Sequence, residues 1–444
     1  MTMEELDMRQ LLSRVREGGV VGAGGAGFPT WRKLDCRGQA DTLILNGAEC
    51  EPLLYADYHC QLLYADKILA AAERLRSMLG LERVVLAFKR KRQAVRQVVE
   101  RLLPEYPQTR LHLLENIYPS GDEHILVLDV TGRVVPQGGI PLAVGVLVQN
   151  VQTMVHIHDA LLGRPVTHRF VTLGGAVARP FTAEVPIGTR LADLLAHAGQ
   201  VTCREPHFLA GGVMMGELVD ENFAVAKTTA GILVLPPENP AVQERLSSLS
   251  RDLRIALSVC DQCYACTEMC PRKLIGHEIE PHRLMRRAGT VLQAPDQQDH
   301  IAHYCCECGI CSLIACPVKI TPRRLIAAMK GKVPTDWKRE RAEYDVHPEF
   351  HRKRLPLDTV ARRMDVQRYD GEPRFLGRLS DMGVVDLTLT EFGGRPLQPV
   401  VADGDRVIGG EVVARGEQTV LHAPIGGRVC LSDDGRPGRL RIGW

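Results

Sequence analysis

The sequence predicts a multidomain chain of α/β plus α+β class, and three observations predict it. Between about Val20 and Gly163, short β-rich runs alternate with helical patterns. Nine of the fourteen cysteines fall between Cys260 and Cys316. From about Asp381 onward the chain breaks into short strands separated by Gly and Asp. A length of 444 residues accommodates several cores, and 45% apolar with 24% charged residues is an ordinary globular balance. A net charge of +2 gives no bulk attraction to nucleic acid or anionic membrane. No apolar run reaches spanning length, since the longest, from Ile140 to Val148, is interrupted by Pro141 and Gly145. The amino-terminal MTMEELDMRQLLSRVREGG lacks a signal-peptide core. These features point to the cytoplasm, with at most peripheral membrane contact. In that reducing compartment fourteen cysteines imply metal or redox chemistry rather than disulfides.

Taken in order, Thr42–Asn46, Val84–Phe88 and Leu111–Glu115 read as strands, and His59–Leu79 and Arg92–Leu103 as helices. That alternation predicts a parallel sheet with crossover helices. A compact unit follows from about His168 to Pro236. Strands Phe170–Leu173 and Phe181–Val185, helix Leu191–His197 and a last strand Ile232–Leu235 give it β-grasp order. The stretch from Lys330 to Arg378, rich in Arg, Lys and Pro, reads as a linker or wrapping arm. The terminal segments PVVADGDRV, GGEVVARGE and LHAPIGGRV predict a small all-β sandwich.

The cysteines carry the sharpest chemical signal. They read Cys260-x2-Cys263-x2-Cys266-x3-Cys270-Pro271 and Cys305-x2-Cys308-x2-Cys311-x4-Cys316-Pro317. Three thiolates at two-residue gaps can wrap one loop around a cubane, while zinc favours separated pairs. In two-cluster ferredoxins the Cys before Pro crosses to the other cluster. Crossing here assigns Cys260, Cys263, Cys266 and Cys316 to one [4Fe–4S] cluster and Cys305, Cys308, Cys311 and Cys270 to the second. Cys306 is an extra thiol read as a bystander. The isolated Cys36, Cys50, Cys60, Cys203 and Cys430 read as buried structural thiols. His156 and His158 read as core or surface histidines, and His300 and His303 as a solvated helix face.

A glycine loop, Gly22-Ala23-Gly24-Gly25-Ala26-Gly27-Phe28-Pro29, lies near the amino terminus. Its glycines let backbone N–H groups approach a phosphate, though a tight turn needs glycine too. It matches neither the Rossmann fingerprint nor a Walker loop. Later come Asn46-Gly47-Ala48-Glu49-Cys50-Glu51-Pro52, then Tyr118-Pro119-Ser120-Gly121-Asp122-Glu123, then Asn150-Val151-Gln152-Thr153. These segments, in this order, resemble the FMN-binding subunit of respiratory complex I and its relative RnfC. The resemblance implies that Gly22, Gly24, Gly25, Gly27 and Lys33 meet FMN phosphate or ribityl oxygens. It sets Asn46 and Glu49 at the isoalloxazine, with Tyr118, Glu123, Asn150 and Thr153 nearby. Phe28 would stack on the nicotinamide nucleotide and Glu51 would contact it, so that Glu49 and Glu51 are its two acids at the hydride-transfer site. Ala48 and Gln149 depart from the complex I pattern and weaken the inherited hydrogen bonding to the flavin.

The whole chain resembles the propanediol-utilisation cobalamin reductases of bacterial microcompartments, through GAGGAGFPT, NGAECEP, YPSGDE, NVQT, KTTAGILVLP and LIGHE. That resemblance implies a Rossmann-like FMN/NADH domain over 1–165 and an SLBB β-grasp domain over 166–238. A helical ferredoxin-like segment with two [4Fe–4S] clusters would follow over 239–330, a basic linker over 331–378, and a barrel-sandwich hybrid over 379–444. RnfC usually carries its barrel-sandwich segment at the amino terminus, which favours the reductase. Glu417-Gln418-Thr419 stands where a lipoyl or biotinyl carrier would need Lys. The implied activity is electron transfer from NADH through noncovalent FMN and the clusters to a corrinoid. Its implied setting is a microcompartment, with a corrinoid adenosyltransferase or a shell protein as partner. An RnfC-like electron-input subunit of a membrane-associated complex and a ligand-binding scaffold are the alternatives.

Overall fold

The structure is a computed structural model that describes residues 6–338, 343–380, 382–431 and 438–443. The first five residues of the amino-terminal segment and the expected boundary at Asp381 lie outside the described residues. Four parallel strands form the first sheet, in the order Thr109–Leu114, Arg83–Lys89, Thr42–Gly47, Val146–Asn150. Their near-continuous apolar runs suit a sheet buried on both faces. The long helix Ala56–Leu79 returns the chain from the strand Thr42–Gly47 to its neighbour, and Val151–Leu161 packs alongside it. The strand order reverses between Thr42–Gly47 and Val146–Asn150. In open α/β sheets such a reversal opens a crevice at the carboxyl ends of the strands. Asn46 and Asn150 are register partners there.

The β-grasp unit is a six-stranded sheet ordered Arg374–Arg378, Phe181–Pro186, His168–Gly175, Gly231–Leu235, His207–Ala210, Glu217–Val219, with Leu191–Ala198 as its helix. Its first strand comes from the stretch read as a linker. That stretch also pairs Leu355–Pro356 with Ile117–Tyr118 and forms the helix Leu357–Arg363. Over residues 343–378 the plain linker is thus corrected to a structured strap, the wrapping arm of the two readings. Leu357, Val360, Met364 and Val366 are buried in one core with Tyr118 of the first domain, Met214 of the β-grasp unit and Cys308 of the cysteine segment, and that burial holds it down.

Helices Leu249–Val259, Pro281–Val291 and Pro322–Lys330 enclose the core of the cysteine segment through Ala256, Met285, Ala288, Leu325, Ile326 and Met329. The carboxyl-terminal region is all-β. One sheet runs Val384–Thr388, Arg439–Gly443, Gly427–Leu431, Arg406–Val407, and another Gln398–Pro399, Val412–Arg415, Val420–His422. Its Val385, Leu387, Val413 and Ile442 share one apolar core with Leu43, Leu69 and Ile157 of the first domain. Cys36 and Cys60 are buried as expected, Cys50 and Cys203 are half-buried, and Cys430 is exposed, which corrects the buried reading for that thiol.

The seam between the first and last domains is tight. Gly19 has φ +71° and a Cβ there would lie 2.3 Å from the Val420 carbonyl oxygen. Lys227 of the β-grasp unit donates to Gly19 O at 2.7 Å and Val420 O at 2.8 Å. Gly19→Ala should therefore strain the backbone and push the last domain away, costing about 1–3 kcal/mol. Differential scanning fluorimetry and limited proteolysis should show a lower melting temperature and faster release of the carboxyl-terminal domain. A wild-type cleavage rate would show that the seam tolerates a methyl group.

Candidate functional site

The glycine loop closes on itself and onto the crevice. Gly22 N–H donates to Phe28 O at 2.9 Å, and Ala23 N–H to Thr153 Oγ1 at 2.9 Å. A Cβ on Gly24 would sit 3.5 Å from the Asn150 side chain, whereas one on Gly25, at φ +121°, would meet nothing within 4 Å. The loop thus presents backbone to open space beside the switch point, the geometry an oxyanion needs. Asn46 Nδ2 donates to Gly121 O at 3.0 Å and its Oδ1 accepts from Ala48 N–H at 3.2 Å. Asn150 Oδ1 caps the helix Val151–Leu161, accepting from Gln152 and Thr153, and its Nδ2 donates to Asp57 at 2.8 Å. Ser120 Oγ is fully buried with no partner among the described residues. The glycines, Asn46, Asn150, Thr153 and the 118–123 segment therefore surround one crevice. An orphaned hydroxyl and an open glycine cradle there fit a phosphorylated flavin.

Several of the other expected residues are bonded within the chain. Lys33 and Glu123 pair with each other at 2.8 Å. Glu49, at φ +36°, turns its carboxylate to the amino terminus of Ala56–Leu79 and accepts from Asp57 N–H at 2.8 Å and Tyr58 N–H at 3.2 Å. Burial, then the neighbouring Asp57 charge, push its pKa up to about 7 against the pull of Arg92. Sequence reasoning missed Lys89, at the carboxyl end of a parallel strand. It is buried, donates to Glu49 O at 3.1 Å, and burial lowers its pKa to about 8. Glu51 was expected against the nucleotide. Its two oxygens instead accept from Met214 N–H at 3.0 Å and Met215 N–H at 2.9 Å, in a loop of the β-grasp unit. Phe28 lies edge-on to Phe392 of the carboxyl-terminal domain, with ring centroids 5.3 Å apart.

Tyr118 reaches out of the crevice. Its buried hydroxyl donates to the carbonyl of Cys308 at 2.7 Å. The two cysteine loops repeat one backbone. Gln262 and Tyr264 have φ +60° and +67°, and Glu307 and Gly309, at the same offsets in the second loop, have φ +57° and +81°. Left-handed non-glycine residues are costly, so their recurrence marks two copies of one loop built to turn its N–H groups inward. Cys260, Cys263, Cys266 and Cys316 line a single cavity with Pro317 and Ile320. The thiol of Cys266 feels Cys316 and its own loop, and that of Cys270 feels Cys305 and Cys306. Each Cys-Pro thiol therefore faces the opposite triplet. Among the described residues no three His, Cys, Asp or Glu side chains converge closely enough to share one mononuclear ion. Thiols ringing a cavity, with N–H donors at Cys305 Sγ (3.3 Å) and Cys316 Sγ (3.3 Å), fit cubane ligation.

Cys306 is not isolated. Arg272 pairs with Asp122 at 2.7 Å and also bonds the Cys306 sulfur. The Cys308 thiol and Arg272 together hold the Cys306 pKa down to about 7. His303 contacts the Val333 carbonyl at 3.0 Å and His300 the Gln297 carbonyl at 2.7 Å. His156 and His158 lie on the helix Val151–Leu161.

Residues 15–159 match the Nuo51 FMN-binding domain, 170–218 the SLBB domain and 259–321 a 4Fe-4S dicluster domain. Cobalamin reductase PduS of Salmonella typhimurium is 38% identical over 424 residues, covering 95% of this chain and 93% of that protein. The Citrobacter freundii protein of the same name is 37% identical over 422 residues, covering 94% and 93%. This chain belongs to the PduS family. A component of the ion-translocating oxidoreductase complex of Pseudomonas aeruginosa is 37% identical over 279 residues, which is 61% of this chain but 34% of that one. The PduS-type chain is accordingly a flavin and iron–sulfur oxidoreductase, and its order of modules is the one described above.

Because ionised Glu49 is disfavoured in this PduS-type fold, its effect on stability has a definite sign. Its unfolded pKa is near 4.5 and its folded value about 7. In that window the unfolded state gives up the proton first, so stability falls as pH rises. Glu49→Gln removes this dependence. The melting temperature of the variant minus that of wild type should grow from about pH 5 to about pH 7 and then level off. A difference that is flat across the window would contradict the assignment.

Proposed function

We propose that this chain passes electrons from NADH, through noncovalent FMN in the glycine-loop crevice and two [4Fe–4S] clusters, to a corrinoid. The observation that carries the reading is Tyr118, whose hydroxyl bonds the Cys308 carbonyl and so gives the crevice and the second cysteine loop a common wall. When bound, FMN would accept one hydride, an electron pair, and return the electrons singly, and the cubanes would carry them one at a time. The chain's own residues do the placing. Gly24 and Gly25 leave room for a phosphate against backbone N–H groups, and Asn46 and Asn150 flank the crevice. Glu49 and Lys89 lie at the carboxyl end of the sheet with pKa values moved toward neutrality, where a carboxyl and an amine can hold or release a proton. Cys260, Cys263, Cys266 and Cys316 would hold one cluster and Cys305, Cys308, Cys311 and Cys270 the other.

Among the described residues no helix is long and apolar enough to cross a membrane. The interior of a microcompartment, with a corrinoid adenosyltransferase or a shell protein as partner, is the setting we propose from the PduS likeness. The match to the ion-translocating complex supports a second reading, electron input to a membrane assembly. Anaerobically reconstituted protein separates the two. We expect it to release free FMN on denaturation and to reduce cob(II)alamin from NADH with no second chain. Activity only after adding a membrane complex would favour the second reading, and absence of flavin would sink both.

The crossed ligation predicts where damage appears. Cys316→Ser should alter or convert to a three-iron form the EPR signal governed by Cys260, Cys263 and Cys266. Cys270→Ser should alter the signal governed by Cys308. If Cys316→Ser and Cys308→Ser perturb the same signal, ligation is local and the two loops are independent sites.

A further inference from the structure

The pairing of Phe28 with Phe392 has no equivalent in the motif reading, because Phe392 lies far along the chain in another domain. The rings meet edge to face, at 75°, and both stay substantially exposed, at 39% and 40%. Two large apolar rings left in solvent at the end of a glycine loop form an unfinished surface. Phe392 is also firmly held. It follows Glu391, whose carboxylate accepts from Gln418 N–H at 2.9 Å and Thr419 N–H at 3.1 Å. Gln418 O in turn accepts from the Trp31 indole at 2.8 Å, three residues beyond Phe28. The tip after Phe392, Gly393-Gly394, takes φ +80° and +73°, a tight reversal that returns the chain to pair Arg395 with Glu391 across the hairpin.

The helix that follows Phe28 and the hairpin that carries Phe392 each bring a guanidinium to this surface, Arg32 and Arg395. Arg395 pairs with Glu417, and Arg32 stands 3.9 Å from the same carboxylate. Arg16 bonds the Glu417 backbone carbonyl at 3.0 Å. Two guanidiniums thus share one carboxylate, with a third on the same residue's backbone carbonyl, and all of these groups lie at the surface. An exposed aromatic pair next to surplus guanidinium is the chemistry that takes a purine ring and its phosphates.

We infer that the carboxyl-terminal domain completes the dinucleotide site, with Phe392 and Phe28 taking the adenine ring and Arg32 and Arg395 facing the adjoining phosphates. This rests on the proposed use of NADH. The nicotinamide end must reach the crevice between Asn46 and Asn150, so the outer aromatic pair falls to the other half of the dinucleotide. The Glu417-Gln418-Thr419 hairpin tip, which bears no carrier lysine, is the buttress that sets Phe392 in place.

The test uses full-length, FMN-loaded, oxidised protein titrated by calorimetry with ADP-ribose and, separately, with nicotinamide mononucleotide. Phe392→Ala should weaken ADP-ribose by about tenfold, the loss expected for one base–aromatic stack, and leave nicotinamide mononucleotide unchanged. Phe392→Tyr should restore wild-type affinity. Trp31 emission reports whether the domain stays docked, and Arg395→Gln, which leaves both rings in place, should weaken ADP-ribose several-fold with a smaller loss at high salt. Wild-type ADP-ribose affinity in both Phe392→Ala and Arg395→Gln overturns the inference while the NADH reading stands. Wild-type protein that binds neither probe overturns the NADH reading, and this inference with it.

Discussion

Glu51 and Met214 make the contact on which the arrangement of modules depends. The Glu51 carboxylate comes from the flavin-side domain and takes two N–H groups of the β-grasp loop. The Met214 carbonyl in that loop accepts from Arg323 at 2.7 Å and from Arg245 at 3.1 Å. Arg323 is itself buried in a pair with Glu244 at 2.7 Å. On its other side the loop is pressed against the second cysteine loop, since a Cβ on Gly309 would lie 2.9 Å from Met214 O. Two carboxylates and two guanidiniums, with Glu244 and Arg323 buried and Glu51 and Arg245 half-buried, are tolerable there only when each is bonded, so none of these groups can move alone. The β-grasp unit is in this sense a spacer of fixed thickness, and the flavin-side strands cannot shift without disturbing Gly309 and Cys308.

That fixed spacing makes the two cysteine loops unequal despite their common backbone. Cys308 is buried beneath Tyr118 and the β-grasp loop and Cys311 is buried as well, while Cys263 and Tyr264 in the first loop are exposed. The same left-handed residues occur in both, so the asymmetry comes from what packs over each loop and not from the loops themselves. Arg272 adds to it. It sits two residues beyond Cys270, pairs with Asp122 at the start of the helix Glu123–Thr131, and bonds Cys306. The extra thiol, a bystander by spacing, lies where positive charge from the cysteine segment meets an acid of the flavin-side motif. A carrier site that must receive electrons from one side and give them up on another needs one sheltered and one open face, and potentials depend on such exposure.

What was legible in the sequence follows from the range of the interactions concerned. Cysteine spacing is local, so both triplets and their distal Cys-Pro residues stand out in the sequence, and the structure lines one cavity with Cys316 and the triplet Cys260, Cys263 and Cys266. The alternation of strands and helices is local as well. Asn46 and Asn150 could be placed together from sequence only through the family resemblance. Their adjacency depends on sheet order, which hydrophobic period does not encode, and the short strand Val146–Asn150 carries little period of its own. The fate of Glu51 was illegible, because its partners lie more than 160 residues away and are backbone groups with no side-chain signature. The strap from 343 to 378 was hidden differently. Leu355, Leu357, Val360 and Met364 are diluted among Arg, Lys and Pro, so a composition reading sees only charge where the structure has a buried stripe.

Lys227 shows how the last domain is tied to the glycine loop. It is half-buried, no carboxylate among the described residues stands beside it, and desolvation brings its pKa down to about 7. Its donors go to carbonyls of Gly19 and Val420, which belong to the two domains on either side. A salt bridge would have held one partner strongly and been indifferent to a second. An amine shared by two carbonyls is satisfied only when both are present, and an unsatisfied buried amine is costly. Arg169, itself buried, bonds the carbonyl of Lys227, and Thr228 lies against the glycine loop, where a Cβ on Gly27 would come within 3.1 Å of it. The loop proposed to cradle a phosphate is thus backed by a turn of the β-grasp unit and flanked by the carboxyl-terminal domain. Those two segments and Thr153, which accepts from Ala23 N–H, set its shape from afar in sequence, which explains how a run of glycines, the most permissive of residues, can hold one conformation.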